Sequence, residues 1–104
     1  MKKIQKEILD FCKTNNMETT STFRILDLLS ELGELAKEVL KTTEYGKKQD
    51  IVKTENLELE MGDVMFSLIC LANTLDIDLQ EVLTMALNKY KARIAKSNDP
   101  GSGK

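Results

Sequence analysis

Two short phrases of the same form lie inside long stretches of helical periodicity and constrain how this chain can fold. They are Glu31-Leu32-Gly33-Glu34 and Glu60-Met61-Gly62-Asp63. Residues three apart share one face of a helix, so each helix presents two adjacent carboxylates. Each pair also has a glycine beside it, and glycine in a helix interior costs about 1 kcal/mol relative to alanine. Such glycines indicate a close approach of helix to helix or of helix to ligand.

The same periodicity extends along most of the chain and predicts an all-α fold. Apolar residues recur at helical spacing in four segments, and no segment shows the alternation typical of a strand. The predicted helices span residues 2–14, 22–41, 54–75 and 78–96. Polar residues suited to N-capping precede three of them, namely Ser21 or Thr22, Thr54 and Asp78.

The length of 104 residues predicts one domain over residues 1–96, followed by a flexible tail over 97–104 that contains Pro100. The segment 64–72 is apolar on nearly every side of its helix. A domain this small cannot cover such a helix fully. We therefore expect a small bundle of four main helices that is completed by oligomerisation, as a homodimer or a homotetramer.

Composition excludes several classes of function. The net charge is −2 and no basic run is interleaved with aromatic residues, so nucleic acid is not an expected partner. No apolar run is long enough to span a membrane and no signal peptide is evident, so we expect a cytoplasmic protein. Histidine is absent, which excludes a histidine-based triad and the usual zinc sites. Cys12 and Cys70 lack CxxC spacing and are predicted to be buried free thiols.

The paired carboxylates allow two interpretations. The ordinary one is a solvated acidic face, because surface helices carry many charges. The alternative is a divalent-cation site, since clustered carboxylates repel one another unless a cation lies among them. Apolar neighbours, the two glycines and the position of Asp63 directly before the most apolar segment favour the second interpretation. Without histidine the ion must be a hard one, with Mg²⁺ expected and Mn²⁺ as its substitute.

A magnesium site made of carboxylates suggests phosphate chemistry, because Mg²⁺ often shares its coordination with substrate phosphates. Phosphate oxygens beyond the reach of the metal need other cations. Lys89 and Arg93, four residues apart on one predicted helix face, are candidates for this role. An ordinary solvated face is the alternative for this pair.

The order of these phrases resembles the MazG-like nucleoside triphosphate pyrophosphohydrolases, which belong to the all-α NTP pyrophosphatase superfamily. The matching segments are 30–35, 60–64 and 89–93, and the resemblance covers roughly residues 20 to 95. Either acidic phrase alone is a weak signal, whereas the two together are fairly specific.

The resemblance implies a Mg²⁺-dependent hydrolysis of a nucleoside triphosphate, often a deoxy form, between its α and β phosphates. The products would be a monophosphate and pyrophosphate. The carboxylates of Glu31, Glu34, Glu60 and Asp63 match the metal-binding and catalytic positions of the family. Lys89 and Arg93 match positions expected to bind the substrate phosphates.

One departure affects the number of metal ions. The family usually has two successive acids at the start of its first phrase, and Ser30 occupies the first of these positions here. Glu38, one turn beyond Glu34, is a candidate to compensate, with a solvated side chain as the alternative. Two rival functions stay open: a phosphoribosyl-ATP pyrophosphohydrolase, and a non-enzymatic helical dimerisation module with a degenerate acidic site.

Overall fold

The computed structural model describes residues 1–97, in which four α-helices and no strands are found. The helices are α1 (Lys2–Thr14), α2 (Ser21–Thr42), α3 (Glu55–Thr74) and α4 (Leu79–Ser97). The predicted all-α class is confirmed, and each helix end lies within one residue of its predicted position. The predicted tail lies outside the described residues except for Ser97, which belongs to α4.

The start of α2 differs from the prediction. Its N-cap is Thr20, whose side-chain oxygen accepts a hydrogen bond from the backbone N–H of Phe23 at 3.3 Å. The expected caps, Ser21 and Thr22, already lie in the helix. Four consecutive hydroxyl residues precede Phe23, so composition alone could not distinguish which of them satisfies the first helical N–H groups.

The caps predicted for α3 and α4 are confirmed. The side chain of Thr54 accepts a hydrogen bond from the N–H of Leu57 at 3.1 Å. Asp78 Oδ1 accepts one from the N–H of Gln80 at 2.9 Å. Both bonds satisfy donors that would otherwise have no partner in the first helical turn.

The central unit of the fold is the antiparallel packing of α2 against α3. The Ser21 hydroxyl at the start of α2 lies 2.9 Å from the Thr74 hydroxyl at the end of α3. The buried side chains of the two helices lie in the half that contains this contact, and they are Arg24 from α2 and Ser67, Ile69, Cys70 and Ala72 from α3. The segment 64–72 is thus partly covered within the chain, while Met65 stays 45% exposed.

Helix α1 packs against α3 and is joined to the turn before α4 by Gln5. This buried side chain donates to the Ile77 carbonyl at 2.9 Å and accepts from the Leu79 N–H at 2.9 Å. The Phe11 and Phe66 rings meet edge to face, with their centroids 6.2 Å apart. Because Gln5 bonds the first N–H of α4, one side chain sets where α4 begins relative to α1.

Helix α4 projects from this three-helix unit, and none of its described residues is buried. The accessible surface is 7932 Å², against about 5,900 Å² for a compact monomer of this mass. The radius of gyration is 16.7 Å, against about 13 Å for a compact chain of this length. A single copy therefore leaves much more surface open than a chain of its size normally does.

Part of that surface is an apolar groove between α3 and α4, with a volume of about 450 Å³. Apolar side chains line it throughout, and they are Met1, Met65, Leu68, Leu79, Val82, Leu83 and Ala86. Leu83 is 63% exposed in this groove. No helix in residues 1–97 combines the length and the apolar character that a bilayer crossing requires.

Candidate metal centre

Three of the predicted carboxylates meet where α2 faces α3. Glu31 from α2 and Glu60 and Asp63 from α3 each place one carboxylate oxygen within 4.8 Å of the others. Glu31 and Glu60 are half-buried, whereas Asp63 is exposed. The antiparallel register creates this cluster, since the interface that pairs Ser21 with Thr74 also brings Glu31 beside Asp63.

Glu34, the fourth predicted ligand, is exposed and lies outside this three-carboxylate cluster. One turn along each antiparallel helix from Glu31 and Asp63 brings Glu34 to the level of Glu60. Its charge reaches the cluster, because it contributes to the raised pKa of Glu60. The structure thus assembles three of the four acids and keeps the fourth at the border of the cluster.

The clearest electrostatic effect in the cluster is on Glu60. Partial burial raises the pKa of its carboxyl above the usual value of 4.5, because it disfavours the charged form. Neighbouring carboxylates raise it further, in the order Asp63, Glu34, Glu31 and Glu38. Repulsion among these carboxylates therefore disfavours the ionised form of Glu60, and a cation bound among them would relieve that repulsion.

Glu38, for which the sequence left a solvated side chain as the alternative, is largely shielded from solvent. Its side chain is only 16% exposed and pairs with Lys41 at 3.9 Å. It also contributes to the raised pKa of Glu60, so its negative charge acts on a member of the cluster. The spacing of Glu38 from Glu34 was the available signal, because it continues the same acidic row by one turn.

The two glycines do not serve the packing of α2 against α3. A Cβ atom added to Gly33 or Gly62 would meet no atom within 4 Å in the described part of the chain. The predicted close approach of helix to helix is therefore wrong within one copy of the chain. The other predicted explanation, an approaching ligand, stays a prediction.

The predicted phosphate-binding pair lies on α4, apart from the helices that carry the carboxylates. Lys89 and Arg93 flank the ring of Tyr90, with Lys89 Nζ 4.7 Å and Arg93 Cζ 5.7 Å from the ring centroid. These cation–π contacts hold both charges together on one side of the helix. The structure confirms their shared face but does not by itself join them to the carboxylate cluster.

The donor set of the cluster suits a hard divalent cation. It offers only carboxylate oxygens, which Mg²⁺ and Mn²⁺ prefer and which soft metals do not. Ligand oxygens around one Mg²⁺ lie about 3–4 Å apart. Oxygens that already lie within 4.8 Å of one another need only small side-chain rotations to reach that separation.

The segment that carries these residues matches a known family. The family model of the MazG nucleotide pyrophosphohydrolase domain matches residues 19–97, about three quarters of the chain. The match includes all four predicted carboxylates and both predicted phosphate-binding residues. The chain belongs to the MazG nucleotide pyrophosphohydrolase family.

The chain is also similar to individual proteins. The chain is 44% identical over 68 residues to the uncharacterized protein YpjD of Bacillus subtilis, covering 64% of this chain and 60% of that protein. It is 37% identical over 81 residues to the gene 37 protein of Mycobacterium phage L5, covering 75% of this chain and 69% of that one. A crystal structure of the "putative pyrophosphatase YPJD" from B. subtilis superposes with a TM-score of 0.72 at 38% identity, covering 89% of this chain and 94% of that chain.

The raised pKa of Glu60 predicts how stability depends on pH without metal. In the folded protein Glu60 keeps its proton to a higher pH than in the unfolded chain. Unfolding therefore releases a proton above the ordinary pKa of 4.5, and stability falls as pH rises from there through the raised value. We expect Glu60→Gln to make the metal-free protein less sensitive to pH in this window. Urea unfolding in EDTA at several pH values measures this, and equal pH slopes for both proteins would contradict it.

Proposed function

We propose that this protein is a Mg²⁺-dependent nucleoside triphosphate pyrophosphohydrolase that acts in the cytoplasm. It would cleave its substrate between the α and β phosphates and release a monophosphate and pyrophosphate. The observation that carries the proposal is the carboxylate cluster of Glu31, Glu60 and Asp63, formed within the region that matches the MazG family. Deoxy or non-standard nucleotides are the expected substrates.

The chain's own residues divide the work between two helical surfaces. Glu31, Glu34, Glu60 and Asp63 would hold the metal, and one of these carboxylates would accept the proton of the attacking water. Bound at this cluster, Mg²⁺ would supply charge neutralisation at the phosphate oxygens and activation of water. Lys89 and Arg93 would bind the phosphate oxygens that the metal does not reach.

Two alternatives make different predictions. A phosphoribosyl-ATP pyrophosphohydrolase would need a similar cluster and would differ only in its contacts to base and ribose. A helical dimerisation module would leave the acidic cluster solvated, so divalent cations would barely change its melting temperature. A screen of common, damaged and phosphoribosylated nucleotides for pyrophosphate release, together with melting in Mg²⁺ and Mn²⁺, distinguishes all three.

The cluster is tested by Asp63→Asn, which keeps the shape of the side chain and removes its charge. We expect pyrophosphate release to fall to background, because one metal ligand is lost. The metal-free variant should fold and melt at or above the temperature of the wild type, since one source of repulsion is removed. In the wild type, cation at about a hundredfold above its Kd should raise the melting temperature by about 10 °C or more.

The matched control is Asp50→Asn, which changes an exposed aspartate in the α2–α3 loop. It should keep both the activity and the response to the cation. If Asp63→Asn hydrolysed nucleotides at the rate of the wild type, the proposed metal centre would be wrong.

The basic pair on α4 gives a second test of the same proposal. Loss of a charge-assisted hydrogen bond costs about 1.5–3 kcal/mol, which corresponds to roughly tenfold to a hundredfold in kcat/KM. We expect Arg93→Ala to lower kcat/KM by that factor and Lys89→Ala to have a milder effect. Neither should change the melting response to metal without nucleotide. The control Lys91→Ala removes an exposed charge from the same helix. A change within twofold for Arg93→Ala would remove the phosphate role.

We further propose that the functional unit is a homodimer or a homotetramer. Large apolar side chains on α3 and α4, such as Met65 and Leu83, stay exposed in a single copy, which supports an interface on this side of the molecule. The apolar groove between α3 and α4 offers a continuous surface for a second copy. The α4 side chains that line it are apolar, yet none of them is buried within one copy. An interface there would also bury the half-exposed Met65 of the segment 64–72.

Leu83→Glu tests this assembly, because Leu83 lines the groove and is 63% exposed. A charge buried at an apolar interface is strongly unfavourable. We expect the wild type to sediment as a dimer or tetramer at micromolar concentration and the variant to sediment as a smaller species. The neighbouring exposed substitution Thr84→Glu should leave the assembly unchanged. A monomeric wild type would contradict the proposal.

A further inference from the structure

The interface between α2 and α3 contains a second polar layer, two turns away from the carboxylate cluster. Arg24 precedes Glu31 by seven residues, and Cys70 follows Asp63 by seven, so each lies on the same helix face as its acidic counterpart. The two layers are about 10 Å apart along the helices. Cys12 of α1 completes the second layer, which the proposed hydrolysis does not use.

The two thiols of this layer are in direct contact. Cys12 Sγ and Cys70 Sγ lie 3.7 Å apart, and the residues are 4% and 3% exposed. Closing this contact to a disulfide bond, about 2.05 Å long, requires the sulfurs to approach by about 1.7 Å. Rotations of the two side chains can share that movement between α1 and α3.

Arg24 lies near both thiols and contacts Cys12 directly. Its guanidinium is buried, donates to the Met17 carbonyl, and places Nη2 3.8 Å from Cys12 Sγ. The same guanidinium leaves Nε without a hydrogen-bond partner in the described part of the chain. A cationic donor at this distance stabilises negative charge on the Cys12 sulfur, and the thiolate is the nucleophilic form of cysteine.

A small cavity gives access to both thiols. Its volume is about 130 Å³, and Cys12 and Cys70 both lie in its wall. Glu18 and Thr19, from the exposed connection between α1 and α2, line its other side. The cavity has room for a few water-sized molecules, since each water occupies about 30 Å³. Hydrogen peroxide is small enough to fit within this volume.

We propose that Cys12 and Cys70 are a redox-modification site that forms an intrachain disulfide on exposure to hydrogen peroxide, with Cys12 as the sulfur that is oxidised first. The structure supplies the three requirements for this chemistry. They are two sulfurs in contact, a cationic donor beside one of them, and a cavity that reaches both.

The chemistry balances with one equivalent of peroxide. Cys12 loses its proton and attacks one peroxide oxygen, the O–O bond breaks, and the leaving hydroxide takes up that proton to form water. Cys12 is then a sulfenic acid. The Cys70 sulfur attacks the Cys12 sulfur, the S–O bond breaks, and hydroxide leaves with the Cys70 proton as a second water. Sulfur is oxidised by two electrons in total and the peroxide is reduced by two.

The state of Cys70 agrees with this order. Burial, followed by the hydrogen bond with Cys12, raises the pKa of the Cys70 thiol to about 11. Cys70 therefore holds its proton at neutral pH, which disfavours it as the sulfur that reacts first with peroxide.

The disulfide would join α1 to α3 across 58 residues of sequence. A crosslink over a loop of that length restricts the unfolded chain strongly, and the expected rise in melting temperature is about 10 °C or more. Helix α3 also carries Glu60 and Asp63 of the carboxylate cluster. Oxidation would therefore link this helix covalently to α1.

The experiment uses the complete reduced protein, treated with hydrogen peroxide and then with an alkylating reagent under denaturing conditions. We expect intact mass spectrometry to show the loss of two hydrogens and no alkylation, and peptide mapping to give a Cys12–Cys70 linked pair. The melting temperature should rise by about 10 °C or more and return to its initial value with dithiothreitol. Unmodified thiols, sulfinic acids, or disulfides between chains would each overturn the proposal.

Two single variants test the order of the steps. Cys70→Ser should accumulate a Cys12 sulfenic acid that a dimedone probe captures, whereas Cys12→Ser should leave Cys70 largely unreacted. Neither variant should show the peroxide-dependent rise in melting temperature. Equal labelling of both variants would overturn the assignment of Cys12 as the sulfur that reacts first.

Discussion

The antiparallel packing of α2 against α3 is the interaction on which the rest of this structure depends. Its register brings Ser21 to Thr74 at one end and Glu31 to Asp63 further along. A shift of one residue would rotate the carboxylates away from one another by about 100°, because an α-helix has 3.6 residues per turn. The apolar contacts that hold the two helices together therefore also hold like charges close to one another, and the fold tolerates this repulsion at the cluster.

Much of the fold could be predicted from local patterns, and the site could be predicted only in part. Helical spacing of apolar residues is a local property, which is why the bounds of all four helices were found. The approach of Glu31 to Glu60 and Asp63 depends on how two helices pack, and spacing within one helix does not contain that information. For the same reason the sequence could not show that Glu34 lies at the border of the cluster. Nor could it show that the charge of Glu38 acts on Glu60.

The open surface of the chain has a second consequence for the site. Helix α4 carries Lys89 and Arg93, yet its described residues are not buried within one copy. Its position relative to the carboxylates is set mainly at its first turn, by Gln5 and the cap at Asp78. Packing of a second copy into the groove would hold residues 79–86 of α4 in place. Under the proposed function, assembly would then also limit the movement of Lys89 and Arg93, which follow on the same helix.

The two helical glycines make α2 and α3 less stable than alanine would at the same positions. A methyl group at Gly33 or Gly62 would meet no atom of residues 1–97 within 4 Å, and alanine is the better helix former by about 1 kcal/mol at each position. Folding of one copy thus provides no reason for glycine at either place. Any contact that favours glycine at these two positions would therefore have to come from outside the described chain, from a ligand or from another copy.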